Sequence, residues 1–179
     1  MAGDIDMVMK MRGEGGIKKL HEMAAKYFAG AEIMVEVGSW AGESSEVWSQ
    51  YVKTLYCVDS WDIDLPPERY GHTMHDVRMA FYERMSGVKN ARIIQAESAM
   101  AARMFDNASL DVVYIDAQHT YKHVSRDMAI WLPKVKSGGV ASGHDYNEEK
   151  FPGVVQAVNE RFGVPITFGG ETSWLAIIA

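Results

Sequence analysis

An α/β fold on a mostly parallel, seven-stranded sheet is what this 179-residue sequence predicts. Three observations carry the prediction. Short β-branched runs alternate with segments of helical spacing through most of the chain. Several of those runs end in an acidic residue. The last two runs face each other across 169-GGET-172, the pattern of an antiparallel hairpin. Helices between parallel strands then cover both faces of the sheet.

The elements follow in order. Residues 1–16 hold Gly3, Gly13, Gly15 and Gly16 and read as a flexible or partner-dependent lead. Ile17, Leu20, Met23, Ala24 and Tyr27 recur at helical spacing, which predicts a helix over 17–28 stopped by Gly30. Strand one is expected at 32–37 and a helix from Ser44 or Ser45 to Tyr51, followed by strand two at 54–59. Pro66, Pro67 and Gly71 interrupt any pattern in 60–75. Beyond them come a helix at 76–86, strand three at 91–95, a helix at 98–105, strand four at 110–116 and a helix at 121–131. Pro133 and 137-SGG-139 precede strand five at 139–145. A helix at 153–162 leads to the hairpin strands 164–168 and 173–179. No repeat or internal linker is visible, so residues 1–179 read as one domain.

Composition narrows the functional classes. A net charge of −6 leaves no basic stripe for phosphates, so no nucleic-acid partner is expected. The single cysteine, Cys57, excludes a disulfide framework and a thiolate zinc cluster, and its place in strand two reads as core. No apolar run approaches the ~18 residues of a membrane span, and a cytoplasmic protein without a membrane partner is expected.

The acidic strand ends carry the chemistry. In a parallel open sheet, ligands bind beyond the carboxyl ends of the strands near the topological switch point. Glu36, Asp59, Asp116, and His144 with Asp145 all fall at such ends, and Glu97-Ser98 follows strand three. Glu36 through Gly42 fits E-x-G-x-x-x-G, a turn whose glycines admit a ligand close to the backbone; it is not the dinucleotide fingerprint G-x-G-x-x-G. Asp59 sits where an acidic side chain takes ribose hydroxyls, and equally suits a helix N-cap.

The blocks 35-VEVGSWAGESS-45, 58-VDSWD-62, 96-AES-98, 111–146 and 152-PGVVQAV-158, with Trp174, together resemble the class I S-adenosylmethionine-dependent methyltransferases. Within them the chain looks like the metal-dependent small-molecule O-methyltransferases related to catechol O-methyltransferase and the macrolide-sugar O-methyltransferases. The resemblance implies a Rossmann-like sheet and places Glu36, Gly38, Ser39, Gly42 and Ser44 around the methionine part of S-adenosylmethionine. It places Asp59 on the ribose, Ser60 and Trp61 beside the adenine, and Glu97 and Ser98 on its edge, where the family more often has Gly-Asp-Ser. Asp116, His144 and Asp145 match the metal-ligand positions, Asp116 also bordering the cofactor. His144 stands in place of a carboxylate, so the cation is magnesium or manganese, or Asp116 and Asp145 bind alone with His144 behind them.

His119 matches the family's general base. A neutral hydroxyl is a poor nucleophile toward a sulfonium carbon; a divalent cation lowers its pKa, and an imidazole near neutrality takes the proton. His119 alone also suits a loop or cap position. His123, four residues on, shares its helix face, as a metal pair or a solvated face. Trp61, Tyr70, His72, Met74 and His75 form either a lid over the acceptor or an exposed loop. The alternatives to a methyltransferase are a nucleotide-dependent oxidoreductase or epimerase, and a non-catalytic cofactor-binding subunit. A small-molecule acceptor is expected, and the short N-terminal part suggests a homo-oligomer in which a partner subunit completes the acceptor site.

Overall fold

The first strand, β1 (Ile33–Val37), is the pivot of the sheet. In the computed structural model, which describes residues 11–63, 67, 71–168 and 172–179, the strand order is β3-β2-β1-β4-β5-β7-β6. The members are β2 (Thr54–Asp59), β3 (Ala91–Gln95), β4 (Leu110–Ile115), β5 (Val135–Gly143), β6 (Ile166–Thr167) and β7 (Trp174–Ile177). Strands β1 to β5 pair in parallel, and β7 runs antiparallel to both β5 and β6. Because β2 and β4 flank β1 on opposite sides, the chain reverses its direction of winding between β1 and β4. That is the switch point at which open α/β sheets bind ligands.

Side-chain alternation in β1 sorts the core into two layers. Met34 points with Leu55, Cys57 and Tyr114 into the layer covered by α1 (Glu14–Tyr27), α2 (Glu43–Ser49) and α3 (Met74–Met85). Val35 and Val37 point with Val58, Val113 and Ile115 into the layer under α4 (Ser98–Ala101), α5 (Tyr121–Trp131) and α6 (Pro152–Phe162). The face of α5 that packs there is Val124, Asp127, Met128 and Trp131, the i, i+3, i+4, i+7 stripe of an amphipathic helix.

Several boundaries differ from the sequence expectation, each for a local reason. Helix α1 starts at Glu14, so the end of the expected lead belongs to the helix; residues 1–10 lie outside the described part. Helix α3 starts at Met74 because Thr73 and Asp76 form a reciprocal capping box. Strand β5 starts at Val135, where Val135 pairs with Leu110 before residues 136–139 bulge and the pairing resumes at Val112 and Val140. The expected strand 164–168 shrinks to Ile166–Thr167, and residues 169–171 of the hairpin turn lie outside the described part.

Candidate active site at the strand tips

Strand register decides which polar groups meet. Val37 pairs with Val58 on one side and Ile115 on the other, and Ile115 pairs with Gly143. The next residues, Gly38, Asp59, Asp116 and His144, therefore emerge at one level. The ladder runs one step further through Gly38 N–H to Val58 O at 2.8 Å and Asp116 N–H to Val37 O at 2.8 Å. Gly38 has φ +91, and a Cβ there would sit 2.2 Å from the Asp116 carbonyl oxygen. Only glycine allows the β1 turn to pass this close to β4. Above the tips opens a cavity of about 1040 Å³, lined by Gly38, Ser39, Ser44, Asp59, Ser60, Glu97, Ser98, Asp116, His119, His144 and Asp145 among others.

At the β1–β2 end, Asp59 ties two loops together. Its Oδ2 accepts from Trp40 N–H at 2.9 Å and its Oδ1 from Trp61 N–H at 2.8 Å. Both tryptophans have left-handed backbones, φ 48 and φ 45, so the carboxylate holds two strained turns in place. Burial pushes the Asp59 pKa up, against those N–H donors. The Ser39 N–H also favours the charged form; a carboxylate accepts at about four lone-pair sites, so capacity for a ligand hydroxyl remains.

Three expected cofactor residues stand elsewhere. Glu36 lies on the Met34 side of β1, inside the layer facing α2, and is fully buried. Its carboxyl accepts from Ser44 Oγ at 2.6 Å, from Ser45 Oγ and from Trp48 Nε1 at 2.9 Å. Burial raises its pKa while the serine hydroxyls work the other way. It therefore braces α2 against β1 and does not line the cavity. Gly42, at φ 81, packs against Phe81 beneath the turn. Trp61 packs on Phe81 and Tyr82 and donates from Nε1 to Trp40 O at 2.9 Å; Asp62 and Ile63 reach the cavity instead. His72 is buried and His75 exposed, neither on the cavity, and Tyr70 lies outside the described residues.

At the β4–β5 end the titratable groups crowd. One ligand atom each from Asp116, His144 and Asp145 lies within 4.8 Å of the others, a spacing that one cation spans. His119 Nε2 is 2.9 Å from Asp145 Oδ2 and 3.6 Å from Asp116 Oδ1. Asp116 and Asp145 together hold the His119 pKa up, to about 9. Burial acts to raise Asp145, but hydrogen bonds from His119 and His144 outweigh it and keep this carboxyl well below its ordinary range. Asp145 has φ 58, and Phe151 packs edge-on against the His119 ring at 4.8 Å. His123 bonds Thr120 Oγ1 through Nδ1 at 2.7 Å, in the cap of α5.

Sequence reasoning missed Arg12, Glu43 and Asp127. Asp127 is an aspartate in the apolar stripe of α5; it accepts from Ser98 Oγ at 2.6 Å, and burial raises its pKa. Its place in the stripe was the available signal. Arg12 reaches Asp116 from the N-terminal segment, Nη2 to Oδ2 at 3.1 Å, and no local pattern marks it.

A seven-stranded sheet in this order, antiparallel only at its last strands, with its polar groups gathered at the switch point, is the Rossmann-like fold of the class I methyltransferases. The chain belongs to the methyltransferase-domain family, which matches residues 35–146. That assignment runs against the oxidoreductase or epimerase alternative. An uncharacterized protein y4gI of Sinorhizobium fredii (strain NBRC 101917 / NGR234) is 26% identical over 118 residues, covering 63% of this chain. The chain spans only 13% of that relative's length. Among solved structures, the O-methyltransferase NovP superposes with TM-score 0.66 at 16% identity, over 96% of this chain and 82% of NovP. The O-methyltransferase TomG from Streptomyces achromogenes, solved in complex with SAM, gives 0.64 at 12% identity over 96% of this chain and 82% of its own. At such identities the likeness establishes the fold. No helix among the described residues is long and apolar enough to cross a membrane.

Proposed function

We propose that this chain is an S-adenosylmethionine-dependent O-methyltransferase acting on a small hydroxylated acceptor, with a divalent cation, magnesium or manganese, at Asp116, His144 and Asp145. The observation that carries the reading is His119 Nε2 at 2.9 Å from Asp145 and 3.6 Å from Asp116, on the same cavity as Asp59. A histidine and three potential cation ligands adjoin a cavity in which Asp59 would take a nucleoside, an arrangement suited to methylating a hydroxyl.

The residues fit both groups. Gly38 leaves the backbone bare beside Asp116, and Asp59 retains acceptor capacity, so these residues would hold a nucleoside with a charged tail. S-adenosylmethionine, when bound, supplies a methyl group on a sulfonium sulfur. Asp116 and Asp145 suit either magnesium or manganese, while the His144 imidazole favours manganese over the oxygen-seeking magnesium; the cation, when bound, would acidify a hydroxyl beside it.

The remaining work belongs to the chain. His119 receives the acceptor's proton at Nε2, the nitrogen now facing Asp145, and Asp145 and Asp116 stabilise the imidazolium that forms. Asp116 and Asp145 hold the His119 proton and raise its pKa to about 9; were the same carboxylates to hold a cation, their pull on that proton would weaken and His119 would work as a base nearer neutrality. Phe151 fixes the ring plane from one side. Alignment of acceptor and donor in one cavity supplies the entropic part of the acceleration.

S-adenosylhomocysteine is the probe. At a hundredfold excess over its Kd it is expected to stabilise the fold by about 2.7 kcal/mol, read as a rise in Tm. No rise at millimolar ligand removes the proposal.

A further inference from the structure

We propose that Arg12 and Glu43 form a charge clamp for the zwitterionic α-amino-acid end of the cofactor, making this chain selective for ligands that carry that end. The inference rests on the donor reading above and extends it to two residues to which neither the sequence motifs nor the family match gives a role. Arg12 lies outside the matched residues 35–146.

Arg12 enters the cavity from just before α1, and its side chain is 12% exposed. Nη2 donates to Asp116 Oδ2 at 3.1 Å, and Nη1 stands 3.6 Å from Glu43 Oε2. Glu43 is the first residue of α2, beside Ser44, and its side chain is 11% exposed. Against the burial that raises its pKa, the Arg12 backbone and side chain both favour the charged form of this carboxyl. Oε2 itself is buried, however, and the guanidinium, at 3.6 Å, stands beyond ordinary hydrogen-bond length from it. A buried carboxyl oxygen in that position gains from an ammonium brought to it.

The signs of charge choose the ligand. One guanidinium stands beside two carboxylates, all three on the cavity wall next to the Gly38 turn. A pyrophosphate brought here would face Glu43 and Asp116 as like charges. An α-amino acid has a partner for each sign: its carboxylate takes the planar fork of Arg12, and its ammonium takes Glu43. Arg126 also lines the cavity, from α5, where its neighbour Asp127 accepts from Ser98 Oγ.

Calorimetric titration with two ligands tests the clamp. S-adenosylhomocysteine carries the amino-acid end; 5′-methylthioadenosine keeps the nucleoside and thioether and lacks it. Arg12→Gln and Glu43→Gln are each expected to weaken S-adenosylhomocysteine roughly tenfold or more. Binding of 5′-methylthioadenosine should stay within about twofold, which also shows that the variant pocket is intact. Arg12→Lys, with charge but no fork, should fall between. Equal weakening of both ligands, or of neither, overturns the clamp while leaving the donor reading in place. A parent protein that binds neither ligand overturns both.

Discussion

Glu36 and Asp116 belong to neighbouring strands, two residues apart in register, and end in opposite situations. Tyr114 pairs with Glu36, so Asp116 stands two residues further along β4 than the level of Glu36. Glu36 is still inside the sheet, fully buried, with three donors from α2 on its carboxyl. Asp116 is one residue past the end of β4, on the cavity, among Arg12, His119 and His144. A carboxyl satisfied by rigid neighbours is structural, because a ligand would have to replace those bonds. One that meets movable cations at a strand tip has partners that can be exchanged. Burial and satisfaction, more than acidity at a strand end, separate the scaffold from the chemistry.

The largest effect expected from the chemical side is on rate. His119→Ala should lower kcat by about 10²–10⁴ while leaving S-adenosylhomocysteine affinity by calorimetry unchanged. Turnover at the parent rate would take the proton-accepting role from His119. Next comes the scaffold. Glu36→Ala leaves two serine hydroxyls and an indole N–H unpaired in the core, an expected loss of about 3 kcal/mol, or ~6–12 °C in Tm for a domain of this size. Glu36→Gln keeps an acceptor and should lose less. If it instead folds normally and abolishes S-adenosylhomocysteine binding, Glu36 is a ligand group and the contrast breaks.

The smallest effect is on stability against pH. The folded pKa of His119, about 9, lies above its ordinary 6.5. A raised histidine pKa stabilises the fold below the unfolded value, and that contribution disappears as pH rises through the folded one. The cation-free protein should therefore lose Tm between pH 6.5 and about 9, and His119→Ala should flatten that part of the profile. An unchanged profile in the variant would mean that another group is responsible.

Much of this site is legible in the sequence because its residues follow strands. Asp59, Asp116, His144 and Asp145 each come at or just past the end of an apolar β run, and the switch-point rule brings such ends together. Glu36 is acidic in the same way, yet its period-2 position puts it on the Met34 face, toward α2. Ser44, which the resemblance places on the cofactor, lines the cavity and also bonds Glu36, as Ser45 does. Trp61 likewise follows Asp59 closely but turns into the α3 layer through a left-handed backbone.

The alternation of strands and helices, the hairpin at the end and the histidine three residues after Asp116 are properties of the chain order, and local periodicity is enough to reveal them. Which carboxyls face solvent and which are consumed inside is a different kind of fact. It depends on register between strands distant in sequence and on the few ångströms that separate Gly38 from Asp116. Arg12 reaches Asp116 across 104 positions of chain, and only packing in three dimensions makes them neighbours. Charge pairing over such separations leaves no trace in local pattern, since an arginine in a glycine-rich segment looks the same whether it meets water or a buried carboxylate.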